Sequence, residues 1–237
     1  MDQRAKLYYF ADPMCSWCYG FAPVMDRICT EYAEVLDIRL VMGGLRPGKL
    51  AQQMTPAIAR VIRHHWREVA KMTGQTFDET FFARENFNYD TEPAAKAVIT
   101  MEQLAGAHAY HYYHEIQAAF YSRNQDITQP AVLADIAARY GVEPAAFLEF
   151  YGSEAAQRET WSQFEFSAAL GIRGFPALVL EPLNEAAQNG SQSNNQFYLV
   201  TRGWQPYEQI VAALAHVMKT VTNTQVAGES CEIDGAC

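Results

Sequence analysis

Two cysteines three positions apart, Cys15 and Cys18 in Asp12-Pro13-Met14-Cys15-Ser16-Trp17-Cys18, are the residues of this chain best suited to chemistry. A C-x-x-C pair cycles between dithiol and disulfide: a thiolate attacks a disulfide sulfur, and the second thiol then resolves the mixed disulfide. Cys15 is the expected nucleophile, because the start of a helix offers a thiolate unpaired N–H groups and the positive end of the helix dipole. Cys18, one turn deeper, is the expected resolving thiol. The competing reading is half of a zinc site, which needs four ligands. Neither His64-His65 nor Cys231 and Cys237 shows the spacing of a zinc finger, so no metal is expected.

The other three cysteines divide in two. Cys29 falls on the helical face of Ala22 and Met25 and reads as a small hydrophobe of the core. Cys231 and Cys237 enclose Glu-Ile-Asp-Gly-Ala, where an Asp-Gly turn lets them meet. They are either a second redox pair that exchanges with Cys15 and Cys18 or two unused exposed thiols. His108, His111 and His114 are spaced like a metal face but lie among tyrosines with few carboxylates near, so an aromatic helix is the expectation. Trp66, Trp161 and Trp204 read as core or groove packing, whereas Trp17, between the two cysteines, is placed to offer an apolar surface to a polypeptide substrate.

The pair requires a strand before it and a helix after it. Leu7-Tyr8-Tyr9-Phe10 reads as a buried strand, the apolar spacing from Cys18 to Val35 as a helix, and 37–42 as a second strand ahead of Gly43-Gly44, which makes a βαβ unit. Pro23 within that helix removes a backbone hydrogen bond and bends the axis. From about 50 to 170 the periodicity is helical throughout. Stripes fall at 57–70, 94–104, 107–122, 130–139, 143–151 and 154–170, with Thr91 as an expected cap. Strand character returns at 177–180 and 196–201, joined by the polar loop 184–195, and a last helix runs from Pro206 to Lys219. Pro176, after Gly174-Phe175, enters the strand at a place suited to a cis peptide. The expected division is a discontinuous α/β domain (1–48 and 171–222), a helical insertion (49–170) and a flexible tail (223–237).

Composition excludes several partners. The 237 residues carry a formal charge of −9, which disfavours a nucleic-acid backbone. No stretch approaches the roughly 20 apolar residues of a membrane span, so no membrane partner is expected. The N-terminal Met1-Asp2-Gln3-Arg4-Ala5-Lys6 runs straight into the first strand without the look of a signal peptide. A cytoplasmic location is therefore expected, where cysteines serve chemistry more than stapling.

These features resemble the thioredoxin superfamily and, more narrowly, its DsbA family with the cytoplasmic FrnE-like members. The resemblance rests on the strand followed by Asp12-Pro13-Met14-Cys15-Ser16-Trp17-Cys18-Tyr19-Gly20, on Pro23, on the helical insertion after the βαβ unit, and on Gly174-Phe175-Pro176. It implies a thioredoxin-like α/β fold with a large all-helical insertion, with Pro176 cis and facing Cys15. It also implies that the Phe175 backbone pairs with an extended substrate, so that Ser16, Trp17, Gly174, Phe175 and Pro176 form the substrate-binding surface. DsbA proper carries Pro-His between its cysteines; Ser16-Trp17 supplies no cation, and a less oxidising couple is expected. Thioredoxins hold a buried acid six residues before the first cysteine. Tyr9 stands there in this chain, and Asp12 is the nearest carboxylate.

The function that follows is a thiol–disulfide oxidoreductase or protein disulfide isomerase without a bound organic cofactor. Its partners are protein or peptide thiols and disulfides, with glutathione or a thioredoxin-type protein as reductant. The alternative is a glutathione-dependent isomerase or transferase of the kappa or chromene-carboxylate type, which resembles this chain in its helical insertion but places serine where Cys15 stands. A third reading, a chaperone-like binder, would use Trp17 and a helical groove without the thiols.

Overall fold

The computed structural model describes residues 4–183 and 196–229, those from 221 onward by their backbone alone. A four-stranded sheet positions the cysteine pair. Strand β1 (Ala5–Ala11) lies inside it, parallel to β2 (Leu36–Met42) and antiparallel to β5 (Ala177–Glu181), and β6 (Tyr198–Arg202) closes the order β2-β1-β5-β6. Tyr9 sits opposite Leu40 on one side and Leu178 on the other. The β5–β6 ladder shifts register between Leu178 and Val179.

The period of two along these strands separates two cores. Leu7, Tyr9, Ala11, Met42, Leu178 and Leu180 face the main core, while Phe10, Val41, Ala177 and Val179 face a smaller one completed by Ile172. Because both faces of β1 are covered, its sequence reads as a continuous apolar run.

Helix α1 (Ser16–Glu31) crosses over between β1 and β2 and buries Cys18, Phe21, Ala22, Met25 and Ile28, with Pro23 inside it. Each such large side chain removed from water contributes about 1.5–3 kcal/mol. Between β2 and β5 come α2 (Pro56–Thr73), α3 (Glu92–Ala105), α4 (Ala109–Tyr121), α5 (Pro130–Ala138), α6 (Pro144–Tyr151) and α7 (Glu154–Ala169). Their limits follow local chemistry. The Thr55 side chain accepts from the Ile58 N–H ahead of Pro56, Gly74 ends α2 at φ 75°, and Ser153 accepts from the Ala156 N–H to start α7. Trp66 of α2 is the centre of this block, packed against Phe77, Phe81, Phe82, Phe120 and Tyr121.

Three expectations need correction. The helical block also holds a minimal antiparallel ladder of β3 (Gln52–Gln53) and β4 (Asn88–Tyr89), too short to leave a period in the sequence. Thr91 stands at the N-cap of α3 but its side chain does not cap the helix; Asp90 accepts the Glu92 N–H instead, because the Thr91 hydroxyl accepts from the Arg46 N–H. The last helix, α8 (Tyr207–Glu229), runs ten residues past Lys219, so the stretch from 223 to 229 is helical. An apolar stripe marks where a helix packs; its hydrogen bonds continue until a residue breaks them.

No helix among the described residues is long and apolar enough to cross a membrane.

Candidate functional site

The turn leaving β1 sets the geometry. The Cys15 N–H donates to the Asp12 carbonyl at 3.1 Å, and Cys15, in extended conformation (φ −92°, ψ 113°), is the N-cap of α1. Its carbonyl then accepts the Tyr19 N–H at 3.1 Å. Cys15 retains 7% exposure and Cys18 none, and both are free thiols. Burial pushes the Cys18 thiol well up, with the hydrogen bond to Cys15 and the charge of Cys15 adding to it; the Asp12 backbone N–H pulls the other way.

Phe175 and Pro176 stand across from Cys15. The peptide between them is cis, and the Cys15 Sγ donates to the Phe175 carbonyl at 3.5 Å. The Pro176 carbonyl is held by the Gly203 N–H at 2.7 Å. The Phe175 ring fills the space that Gly43 leaves, since a Cβ on Gly43 would lie 2.0 Å from it. Gly174 and Ser16 are half-buried beside these residues. Trp17 is also half-buried rather than free-standing: its ring lies 6.4 Å from that of Trp204, whose indole N–H donates to the Gly20 carbonyl at 3.2 Å.

A cleft of about 330 Å³ opens beside Phe175, lined by Gly43, Leu45, Trp161, Phe164 and Arg173. Trp161 and Leu50 are exposed at its rim.

Asp12 is the buried carboxylate of the site. Its Oδ1 accepts the Met14 N–H at 2.9 Å and its Oδ2 the Leu45 N–H at 2.8 Å, and Thr91 hydrogen-bonds to it. Desolvation pushes its pKa up to about 6, against the pull of these donors and of the Arg46 charge. The Tyr89 hydroxyl donates to the Met14 carbonyl at 2.6 Å. Tyr9, where thioredoxins hold their acid, has its hydroxyl 3.4 Å from that of Tyr113, and burial pushes both phenols up.

The structure thus brings Cys15, Cys18, Ser16, Trp17, Gly174, Phe175 and Pro176 to one end of the sheet. Cys231 and Cys237 lie outside the described residues. Cys29 is half-buried on α1, with its thiol pushed up by burial, and lines a separate cleft with Tyr9 and Tyr110. His108 precedes α4, and the His114 Nε2 lies 3.6 Å from the Asp26 carboxylate, an ion pair only when the imidazole is protonated. Among the described residues no group of three or more His, Cys, Asp or Glu side chains is placed to hold a metal. Sequence reasoning missed Leu45, Thr91 and Tyr89 as parts of the site, and it took Gly43 only as the end of a strand. The one local signal was Asp12 ahead of a proline, which marks a turn but does not name its distant donors.

Comparison with known proteins agrees with this fold. The family profile of the DSBA-like thioredoxin domain matches residues 6–215. A crystal structure of a candidate protein disulfide isomerase from Nitrosomonas europaea superposes with a TM-score of 0.78 at 33% identity, over 92% of this chain and 98% of that one. The cytosolic disulfide reductase DsbM from Pseudomonas aeruginosa, solved with glutathione, gives 0.65 at 25% identity over 90% and 99% of the two chains. The ClpXP adapter protein SpxH of Halalkalibacterium halodurans is 22% identical over 188 residues. That match takes in 75% of this chain, which spans about three-fifths (61%) of the length of that curated relative.

Proposed function

The chain belongs to the DSBA-like thioredoxin domain family, and from that premise we propose that it is a thiol–disulfide oxidoreductase working through Cys15 and Cys18. The observation that carries this reading is the Cys15 thiol at the start of α1, 3.5 Å from the Phe175 carbonyl, with Cys18 buried one turn behind it. The Cys15 thiolate attacks one sulfur of a substrate disulfide, forming a Cys15–substrate bond and expelling the other sulfur as thiolate. Cys18 then gives up its proton and attacks Cys15. The substrate leaves as a second thiolate, and a Cys15–Cys18 disulfide remains. Two electrons pass to the substrate, and the reverse sequence oxidises it.

Phe175 and Pro176 border the path of an extended polypeptide, with Ser16, Trp17 and Gly174 beside them. The reductant proposed is glutathione, which accompanies DsbM in its solved structure, and the compartment proposed is the cytosol in which that reductase is placed. Two glutathione thiols would reopen the Cys15–Cys18 disulfide, leaving glutathione disulfide. No organic cofactor is needed. Disulfide isomerisation is the same chemistry with Cys15 returning to a different substrate sulfur.

The test is a pair of variants. Cys15→Ser is expected to abolish exchange, and Cys18→Ser to accumulate mixed disulfides with substrate. Wild-type turnover in Cys15→Ser ends this reading, and glutathione conjugation of an electrophile that survives Cys15→Ser would favour a transferase instead.

A further inference from the structure

We infer that Asp12 is a positioning residue of the exchange site: its ionised carboxylate ties the Cys15 turn to the cleft wall at Leu45 and to the start of α3 at Thr91, and so keeps the thiol pair aligned with Phe175. The inference rests on the thiol–disulfide reading above and adds a residue to it.

The carboxylate is wholly buried, and its two oxygens are divided between two chain segments: Oδ1 takes the Met14 N–H at 2.9 Å and Oδ2 the Leu45 N–H at 2.8 Å. Thr91 donates to it while its own hydroxyl accepts the Arg46 N–H at 3.0 Å, so that the cleft loop is held twice. An ionised carboxylate only accepts, which suits this set of donors. Protonation makes one oxygen a donor, and one backbone N–H then loses its partner in a place without solvent. Either the turn that carries Cys15 or the wall that carries Leu45 must shift. Leu45 lines the same cleft as Phe175.

The titratable and charged groups facing Asp12 leave it alone near neutrality. The Arg46 charge from the cleft loop favours the ionised Asp12, while Cys18 from α1, Tyr89 from β4 and Tyr121 from α4 are all pushed upward by burial. Asp12 itself changes charge near pH 6.

The experiment follows reduction of a small aromatic disulfide by the pre-reduced full chain in single turnover, from about pH 4.5 to about pH 8. Below about pH 6 the ratio of the wild-type rate to that of Asp12→Asn is expected to fall about tenfold per pH unit. Asparagine accepts one N–H but sets its own amide against the other, so at pH near 7.5 the variant is expected to be slower by about tenfold or more. Thr91→Val removes a donor that favours the charged form, so the break in its profile is expected at higher pH. Parallel profiles for Asp12→Asn and wild type, or an unmoved break in Thr91→Val, overturn the inference. If Asp12→Asn does not fold, Thr91→Val decides alone. Wild-type reduction by Cys15→Ser would instead sink the thiol reading.

Discussion

Gly43 and Phe175 occupy one space: a Cβ on Gly43 would lie 2.0 Å from the Phe175 ring, whose carbonyl in turn accepts from Cys15. The end of β2 thereby fixes how closely the Phe175 backbone approaches the thiol. Gly43→Ala is expected to displace the ring, to cost about 1–3 kcal/mol in chemical denaturation and to slow exchange. In the background of Phe175→Ala both costs should largely vanish. Equal costs in the two backgrounds would show that the residues do not act on one another.

Two buried groups are expected to make stability depend on pH in opposite senses. Asp12 titrates at about 6 in the fold against an ordinary 3.8, so between these values the folded chain holds a proton that the unfolded chain has lost, and stability falls as pH rises. His114 is held down to about 4 by burial against an ordinary 6.5, so there the unfolded chain holds the extra proton and stability rises with pH. Each amounts to about 3 kcal/mol. Urea unfolding from pH 4 to 6.5 should leave a rising curve in Asp12→Asn and a falling one in His114→Gln. Two variants with the same slope would refute the assignment.

Trp204 covers Trp17 and donates to the Gly20 carbonyl across α1. Trp204→Phe is expected to lose about 1 kcal/mol with that hydrogen bond. Trp204→Ala should cost more than Trp204→Phe and open Trp17 to acrylamide quenching. Unchanged quenching would mean that Trp17 is sheltered by something else.

Trp66 ties α2 to α4 through Phe120 and Tyr121 and is 1% exposed. Trp66→Ala should cost about 3–5 kcal/mol, read as a lower urea midpoint at unchanged slope. A loss below about 1 kcal/mol would contradict the packing described.

Much of this architecture was legible in the sequence because local patterns carry it. The apolar run Leu7-Tyr8-Tyr9-Phe10 lies within β1, and the stripes expected at 130–139 and 143–151 fall on α5 and α6. The position of Cys15 before a helix was legible for the same reason. What the sequence hid is relational. The donors to Asp12 come from Met14 nearby but also from Leu45 and Thr91, and no spacing rule links those positions. Thr91 had the look of a cap and serves the site instead, because a hydroxyl bonds whichever partner the fold brings to it. The end of α8 was misjudged since an apolar period says where burial stops, not where helical hydrogen bonding does.

The antiparallel docking of β5 against β1 also has a consequence in time. Cys15 meets Phe175 across 160 positions of chain. A ribosome adds about 5–20 residues per second, so a nascent chain carries its thiol pair for roughly ten to thirty seconds before the opposite wall of the site exists. During that interval Cys15 and Cys18 lack Phe175 and Pro176, although Leu45, Tyr89 and the helices that pack on α1 are already made. The newborn chain is then at its most open to stray oxidation, and its selectivity arrives with β5.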